Sequence, residues 1–469
     1  MTDQPETPPE RMTAEALTAA YRAGQSSPVE VTRHLLDRIE RIDPRLNAFN
    51  MVDRERALAG AAESESRWRA GSPKGLLDGV PVAVKDILLV AGWPTLRGSR
   101  TIDPAGPWAE TAPAVERALD HGAVLLGRTT TPEYGWKGVT DSPLTGITRN
   151  PWNLEMTPGG SSGGSSAALA AGLVPLAFGT DGGGSIRIPC AFTGTVGIKP
   201  SFGRVPAWPL SPFGTVSHVG PMARTVRDCA RMLQAIAEYD ARDWFALPFS
   251  VPDYLGQLDR GIKGRRIAYS RDLGYADVHP AVATVVEAAI HHLADAGAEV
   301  VEATPPMASP LEIFKAHWYT GAAFALGRLP PERAALLDPG LREVIAAGLR
   351  YSLRDYQEAV AARGAYGVAM NAFMAEFDFL VTPTLAVPAF TAGTIAPAGW
   401  DAENWLMWTP FTWPFNLTQQ PAGSVPCGLT ADGLPVGLQI VGRMHDDPGV
   451  LQAMAAFEKQ SPPPAFPEL

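Results

Sequence analysis

Short apolar runs that favour β-strands alternate with amphipathic helical stretches along nearly the whole chain. Runs at 80–84, 124–126, 173–178 and 436–441 are short and apolar, whereas apolar residues recur at helical spacing along 282–293. A chain that alternates in this way buries its helices against a central sheet whose strands run largely in parallel. We therefore predict an α/β fold in which helices surround a mostly parallel sheet.

Length and composition exclude several classes of protein. The 469 residues are 46% apolar and 19% charged, which is enough for a large core and too apolar for disorder. Length alone suggests about three domains, but a single large α/β unit fits equally well. The 39 basic and 49 acidic residues give a net charge of −10, so we expect no nucleic acid as a partner.

Cysteine usage and the N-terminal sequence predict a cytoplasmic protein. Cys190, Cys229 and Cys427 are odd in number and far apart, which favours neither a disulfide framework nor a zinc site. The acidic, proline-rich start is unlike a signal peptide, and we expect residues 1–12 to be disordered. The apolar stretch 167–179 is too short to cross a bilayer, so we expect no membrane partner.

A capping box predicts where one early helix begins. Ser27 and Glu30 stand three residues apart, with Pro28 at the first helical position between them. Leu35 and Ile39 then lie on one helical face. We expect the helix to end at Pro44, because proline breaks the helical hydrogen-bond ladder.

Residues 157–204 form a glycine-rich window in which 12 of 48 residues are glycine. Apolar segments run through it, which distinguishes it from a flexible linker. Its first turn, GGSSGGS at 159–165, opens a helix but lacks the Gly-Lys-Ser/Thr ending of a phosphate-binding loop. In its second turn three glycines lead to Ser185, so that consecutive N–H groups can point at one oxyanion beside a hydroxyl.

A serine nucleophile needs a base, and the sequence offers a lysine rather than a histidine. No histidine lies between His121 and His218. Lys85 ends the apolar run GVPVAVK at 79–85, and a lysine can serve as a base if burial keeps it neutral. A strand-end lysine is usually a surface charge, and only its combination with the two glycine–serine turns points to catalysis.

Together these pieces resemble the amidase signature family. The matching stretches are VAVKD at 82–86, PGGSSGG at 158–164, GTDGGGSIRIP at 179–189, GTVGIKPSFG at 194–203, VGPMART at 219–225, FN at 415–416, QPA at 420–422 and GLPVGLQ at 433–439. The resemblance implies one α/β domain over 13–469, with a mixed sheet wrapped by helices, core motifs at 79–225 and a variable substrate wall at about 305–415.

The resemblance also implies a Ser–Ser–Lys catalytic set that needs no metal or cofactor. Ser185 would be the nucleophile, Ser161 the bridging serine after a cis Gly160–Ser161 bond, and Lys85 the base. The N–H groups expected to hold the oxyanion are those of Gly182, Gly183, Gly184 and Ser185. The residues expected to orient the two turns are Ser162, Asp181 and Arg187. We interpret Cys190 as a buried thiol of the core rather than a nucleophile.

Aromatic residues are the main indication of substrate. The candidates for the pocket wall are Tyr134, Trp136, Trp400, Trp405 and Trp408, although aromatics at this density also build cores. If two of them line the site, the substrate is a bulky aryl or apolar amide, and the same chemistry would accept esters and carbamates.

Two other functions stay open at this stage. The A subunit of a glutamyl-tRNA amidotransferase shares these motifs and would release ammonia from glutamine with partner subunits. A catalytically inactive binding protein on the same scaffold is the other alternative. The sequence does not indicate an oligomeric state, and a small-molecule amide, ester or carbamate is the expected partner.

Overall fold

The computed structural model describes residues 7–248, 250–400 and 405–469. The strands are β1 Phe49–Val52, β2 Pro81–Lys85, β3 Val124–Thr129, β4 Asp141–Ser142, β5 Gly146–Ile147, β6 Leu176–Asp181, β7 Val196–Lys199, β8 His218–Ala223, β9 Arg266–Tyr269, β10 Glu299–Glu302, β11 Phe379–Pro383, β12 Ala422–Leu429 and β13 Pro435–Gly442. Among these described residues, eleven strands form one sheet in the order β1-β3-β2-β6-β8-β7-β12-β13-β11-β9-β10, and β4 pairs with β5.

Helices surround this sheet. They are α1 Ala14–Ala23, α2 Pro28–Leu46, α3 Arg54–Arg69, α4 Pro113–Asp120, α5 Gly163–Ala170, α6 Arg187–Thr193, α7 Val226–Ile236, α8 Tyr254–Gln257, α9 Pro280–Ala289, α10 His291–Asp295, α11 Leu311–Leu326, α12 Pro331–Ala334, α13 Pro339–Gly348, α14 Leu353–Met374, α15 Pro414–Leu417 and α16 Asp447–Gln460. Because one sheet joins strands from both halves of the chain, the molecule is a single α/β domain, as predicted.

The sheet is mixed, but it contains fewer parallel pairs than the alternation of elements predicts. Within the described residues, six of its ten strand pairs are antiparallel: β1/β3, β6/β8, β7/β8, β7/β12, β12/β13 and β11/β13. The four parallel pairs are β2/β3, β2/β6, β9/β10 and β9/β11. The difference arises because antiparallel strands need no crossover helix, and β12 returns directly into β13 through a short turn.

Side chains of the central strands alternate between two faces of the sheet. Val82 and Val84 of β2 join one core cluster, whereas Ala83 between them joins a different one. Leu176 and Phe178 of β6 belong to the same cluster as Val82 and Val84. The alternation arises because successive Cβ atoms of a strand point to opposite faces of the sheet. Both faces of these central strands are therefore buried, which explains their nearly continuous apolar sequence.

The N-terminal region is more ordered than the sequence predicts. Ser27 and Glu30 form the predicted capping box at the start of α2. The helix continues past Pro44, however, and ends only where Asn47 adopts a left-handed conformation. Of the lead at 1–12, residues 1–6 lie outside the described residues, but 9–11 form a 3₁₀ turn. Glu10 in this turn accepts a hydrogen bond from His34 of α2, which gives the turn a fixed place.

The strand directions bring three ionisable residues to one edge of the sheet. β2 and β6 are parallel, and β7 runs in the same direction as β6 because both are antiparallel to β8. Lys85, Asp181 and Lys199 are the last residues of β2, β6 and β7. All three therefore lie at the carboxyl edge of the sheet, and α6 begins at Arg187, shortly after Asp181.

Candidate active site

Lys85 is buried among hydroxyl groups. Its Nζ lies 2.7 Å from Ser161 Oγ, 2.9 Å from Ser162 Oγ and 2.9 Å from Thr180 Oγ1. The side chain is fully buried. Burial lowers the pKa of the amine well below its usual range, and the Asp181 carboxylate opposes this by a smaller amount. The site thus favours an uncharged amine in contact with a serine hydroxyl.

The first glycine–serine turn carries Ser161 to this amine. The Gly160–Ser161 peptide bond is cis, as the family resemblance predicts. A Cβ on Gly160 would come within 2.6 Å of the Val139 carbonyl oxygen, so only glycine allows this close approach. Ser162 follows at the start of α5, and its hydroxyl bonds Lys85 and lies 3.3 Å from the Thr180 carbonyl oxygen. Ser162 is therefore a direct neighbour of the amine.

The second turn places Ser185 at the start of α6. Gly184 has φ 126°, and a Cβ there would lie 2.4 Å from Thr412 Oγ1, so this position requires glycine. The Gly184 N–H donates to Asp181 Oδ1 at 2.7 Å, which makes it unavailable to an oxyanion, contrary to the prediction. Within the described residues, the N–H groups of Gly182, Gly183 and Ser185 have no such acceptor.

A buried ion pair holds the second turn in place. The Arg187 guanidinium donates to both carboxylate oxygens of Asp181 at 2.9 Å, and neither side chain is exposed. Arg187 also donates to Asn416 Oδ1 and Gln439 Oε1, both at 2.7 Å. Burial opposes ionisation of Asp181, but Arg187 holds the pKa of its carboxyl well below the usual range. Asn416 belongs to the FN stretch and Gln439 to the GLPVGLQ stretch, so this network links both stretches to the glycine-rich window.

Ser161 and Ser185 line the same cavity. Their turns are joined by the Ser162 N–H, which donates to the Ser185 carbonyl oxygen at 3.2 Å. Ser185 is 4% exposed, and no hydrogen bond between the Ser161 and Ser185 hydroxyls occurs within the described residues.

The cavity beside these serines is mostly apolar. It has a volume of about 1060 Å³, including its opening to solvent. Trp208 and Phe213 line it from the segment between β7 and β8, and Trp318 and Leu326 line it from α11. Trp318 stacks on Phe213 with ring centroids 3.8 Å apart. Segment 305–415 thus supplies part of the cavity wall.

The aromatic residues predicted to line the pocket are mostly elsewhere. Tyr134 lines the cavity, whereas Trp136, Trp405 and Trp408 are buried in the core and Trp400 is half-buried away from the cavity. Trp408 stacks on Phe192, and Trp405 lies where a Cβ on Gly183 would meet it at 3.0 Å. Trp405 and Trp408 are therefore core residues, and their closeness in sequence does not indicate a pocket wall.

Sequence reasoning missed the aromatic residues that do form the wall. Trp208 lies in a proline-rich stretch, AWPLSPF at 207–213, whose composition is typical of a surface loop and could have indicated it. Trp318 lies in the middle of an apolar helix, where no local signal distinguishes a cavity residue from a core residue.

A second buried lysine also escaped the sequence analysis. Lys199 Nζ donates to the carbonyl oxygens of Gln420 and Pro200 and lies 3.4 Å from His218 Nε2. Burial lowers the pKa of Lys199 to about 7. Lys199 does not line the cavity beside Ser185.

The thiol in this region is a core residue, as predicted. Cys190 is completely buried, and burial raises its pKa to about 12. Within the described residues, no group of three His, Cys, Asp or Glu side chains is placed to hold a metal ion. No helix in the described part of the chain has the length and apolar character needed to span a membrane.

Comparison with known proteins identifies the family. The family model described as Amidase matches residues 30–451. An acylamidase of Rhodococcus erythropolis is 38% identical over 463 residues, which cover 96% of each chain. The A subunit of the glutamyl-tRNA(Gln) amidotransferase of Myxococcus xanthus is 36% identical over 470 residues, which cover 95% of this chain and 96% of that one. The crystal structure of a bacterial aryl acylamidase, an amidase signature enzyme, has a TM-score of 0.89 at 33% identity, with 96% of each chain covered.

The chain belongs to the amidase family, which confirms the resemblance found in its sequence. The fold is that of the amidase signature enzymes. The protein is a hydrolase that acts on carbon–nitrogen bonds.

Proposed function

We propose that this protein hydrolyses bulky aryl or apolar carboxamides through an acyl-enzyme formed on Ser185. One observation carries the proposal: the buried Lys85 amine contacts Ser161, and Ser161 shares the wall of an apolar cavity with Ser185. An amine that burial keeps uncharged can accept a proton near neutral pH.

The hydroxyl of Ser161 connects this base to the nucleophile. Lys85 accepts the proton of Ser161 while Ser161 accepts that of Ser185, and the Ser185 Oγ bonds to the substrate carbonyl carbon. The oxyanion that forms lies against the free N–H groups of Gly182, Gly183 and Ser185, each worth about 3–4 kcal/mol when well placed. The proton then passes from Lys85 to the leaving nitrogen, and the carbon–nitrogen bond breaks. Water hydrolyses the resulting ester by the same proton route.

The wall of the cavity supports an apolar substrate. Trp208, Phe213 and Trp318 offer aromatic surface beside the nucleophile, which suits an aryl group or a long acyl chain. The names of two similar proteins, an acylamidase and an aryl acylamidase, agree with this substrate class. Esters and carbamates of similar shape present the same carbonyl carbon and are expected to react as well.

The alternative is a glutaminase role, favoured by similarity to the A subunit of glutamyl-tRNA(Gln) amidotransferase. Glutamine carries both a carboxylate and an ammonium group, and the ammonium would need an acidic partner. Within the described residues, no Asp or Glu lines the cavity. A glutaminase assay of the purified chain, compared with an anilide assay, separates the two functions.

Covalent labelling tests the nucleophile directly. A sulfonyl fluoride that reacts with activated serines should give an adduct on Ser185, located by mass spectrometry after proteolysis. The Ser185→Ala variant should give no adduct and should lose at least about 10⁴-fold in turnover. An adduct on Cys190, or activity near the wild-type value in Ser185→Ala, would contradict the mechanism.

A further inference from the structure

We propose that Arg97 selects amide substrates that carry a carboxylate on an otherwise apolar body, an inference that rests on the proposed function. Arg97 lines the cavity that Ser161 and Ser185 also line. Among the described residues that line this cavity, it is the single charged side chain. A fixed positive charge thus faces the same space as the nucleophile.

The guanidinium of Arg97 has no partner within the described part of the chain. Its Nε is buried and, among the described residues, has no hydrogen-bond acceptor, and its side chain forms no ion pair with any of them. Arg128 has an unpaired buried Nε as well, but its other nitrogens donate to Thr95 and to a backbone carbonyl, and Arg187 donates to Asp181. A guanidinium has five N–H donors, and donors left unpaired in a partly buried site cost free energy. A ligand that brings acceptors to Arg97 recovers this cost.

The backbone around Arg97 is fixed to the catalytic end of β2. Asp86, the residue after Lys85, accepts the N–H of Leu96 at 3.1 Å and of Gly98 at 3.3 Å. Arg97 itself has φ 53°, a left-handed conformation that is uncommon for a long side chain. Its carbonyl oxygen accepts the N–H of Tyr134 at 2.8 Å. The strand that positions the base therefore also positions Arg97.

The lining of the cavity points to a carboxylate without a neighbouring ammonium group. A planar carboxylate can accept two parallel hydrogen bonds from a guanidinium. An amino-acid head group would bring an ammonium as well, and no acidic side chain lines the cavity within the described residues to pair with it. The aromatic wall formed by Trp208, Phe213 and Trp318 accommodates the apolar remainder. Arg97 thus makes the enzyme prefer apolar amides that carry a carboxylate over neutral amides of the same shape.

Matched substrate pairs test this selectivity. The first pair places the charge on the leaving group: 4-carboxyacetanilide and 4-nitroacetanilide, which is similar in shape but neutral. The second places it on the acyl group: glutaric acid monoanilide and 5-methylhexananilide. In Arg97→Gln we expect kcat/KM for the carboxylate of at least one pair to fall about ten- to hundredfold, whereas the neutral partner changes less than about threefold. Comparing each substrate between wild type and variant cancels differences in intrinsic reactivity.

A nearby exposed arginine provides the control. Arg100 is exposed and does not line the cavity, so Arg100→Gln makes the same change in net charge without the predicted loss of selectivity. If Arg97→Gln does not fold, as judged by circular dichroism, Arg97→Lys replaces it. Lysine keeps the charge but lacks the planar pair of donors, and a carboxylate-specific loss of about tenfold is expected.

The outcomes separate this inference from the proposed function. Equal effects of Arg97→Gln on both members of both pairs would overturn the role of Arg97 while leaving amide hydrolysis intact. If the wild type hydrolyses none of the four anilides, the proposed substrate class fails instead. Calorimetric binding of the two carboxylates to wild type and Arg97→Gln then decides the role of Arg97 alone, and equal affinities would reject it.

Discussion

Lys85 and Lys199 are two fully buried lysines at the same edge of one sheet, and only Lys85 has the surroundings of a base. Each is the last residue of its strand, the two strands run in the same direction, and burial lowers the pKa of both amines. The neighbours of Lys85 are three hydroxyls, whereas those of Lys199 are two carbonyl oxygens and the ring of His218. Asp181 lies near enough to both to raise their pKa values.

The difference in partners decides what each amine can do. A hydroxyl can donate or accept a hydrogen bond, so a proton can pass from Ser161 to an uncharged Lys85. A carbonyl oxygen can only accept, so the Gln420 and Pro200 carbonyls require Lys199 to act as a donor. Burial alone therefore does not make a lysine a catalytic base, because the neighbouring atoms must also have a proton to give.

Replacing each lysine by methionine should separate the two roles most clearly. We expect Lys85→Met to lower kcat for an anilide by about 10³-fold or more, because the proton acceptor is lost. Its free energy of unfolding should not fall, since folding at pH 7 no longer removes a proton from an amine. Lys199→Met should keep kcat within about tenfold of wild type, because Lys199 does not line the cavity beside Ser185. Steady-state kinetics and urea denaturation measure both. Wild-type turnover in Lys85→Met together with an inactive Lys199→Met would reverse the assignment.

Asp181 is the carboxylate that both lysine sites share, and its loss should destabilise the protein. Asp181→Asn keeps the shape of the side chain but leaves the buried Arg187 without its counter-charge. We expect the free energy of unfolding to fall by about 3–5 kcal/mol, measured by urea denaturation. The control is Glu358→Gln, which removes an exposed ion pair with Arg354 and should cost less than about 1 kcal/mol. Equal losses in both variants would mean that Arg187 does not depend on Asp181.

The pH dependence of stability should show the buried amine of Lys199. Unfolded lysine has a pKa of about 10.4 and binds a proton at pH 8, whereas Lys199 in the folded protein, with a pKa of about 7, has mostly lost it. The unfolded state therefore binds more protons, and stability rises with pH between about 7 and 8.5, by at most about 1.4 kcal/mol per pH unit for this lysine. Below pH 7 the folded protein also binds this proton, so Lys199 is protonated in both states and its contribution becomes independent of pH.

The comparison of wild type with Lys199→Met isolates this lysine from other titrating groups. Urea denaturation at pH 7.0, 7.75 and 8.5 should give a smaller slope of stability against pH in the variant. The same slope in both proteins would mean that Lys199 keeps its proton in the folded state.

The smallest expected effect concerns the third hydroxyl beside Lys85. Thr180→Val has nearly the same shape but removes one of the three oxygen atoms near the amine. We expect kcat to fall about three- to tenfold, since a single hydrogen bond is worth about 0.5–1.5 kcal/mol. Thr394→Val, at an exposed position, should leave kcat unchanged. A loss of 10³-fold in Thr180→Val would instead place Thr180, rather than Ser161, on the proton route.

Local sequence features and the family resemblance predicted different parts of the structure. The capping box at Ser27 and the burial of Cys190 are present as the residues themselves predict, and the cis bond before Ser161 is present as the resemblance implies. The turn around Ser185 was predicted as well. The Gly184 N–H, however, donates to the Asp181 carboxylate, so fewer N–H groups than predicted are available to an oxyanion. The aromatic wall was mostly assigned to the wrong residues, because a tryptophan in the core and one in a cavity have the same local sequence character.

By itself, the sequence determined the α/β class, the two glycine–serine turns and the family, since each depends on short stretches whose local conformation follows from their composition. Only the tertiary structure decided which buried lysine meets hydroxyls. VAVK and VGIK are nearly equivalent as strand ends, and the atoms that surround Lys85 and Lys199 come from segments as distant as 161 and 420. The tertiary structure likewise placed the unpaired Arg97 on the cavity wall, because the packing of remote segments, rather than the neighbouring sequence, determines whether a charge finds a partner.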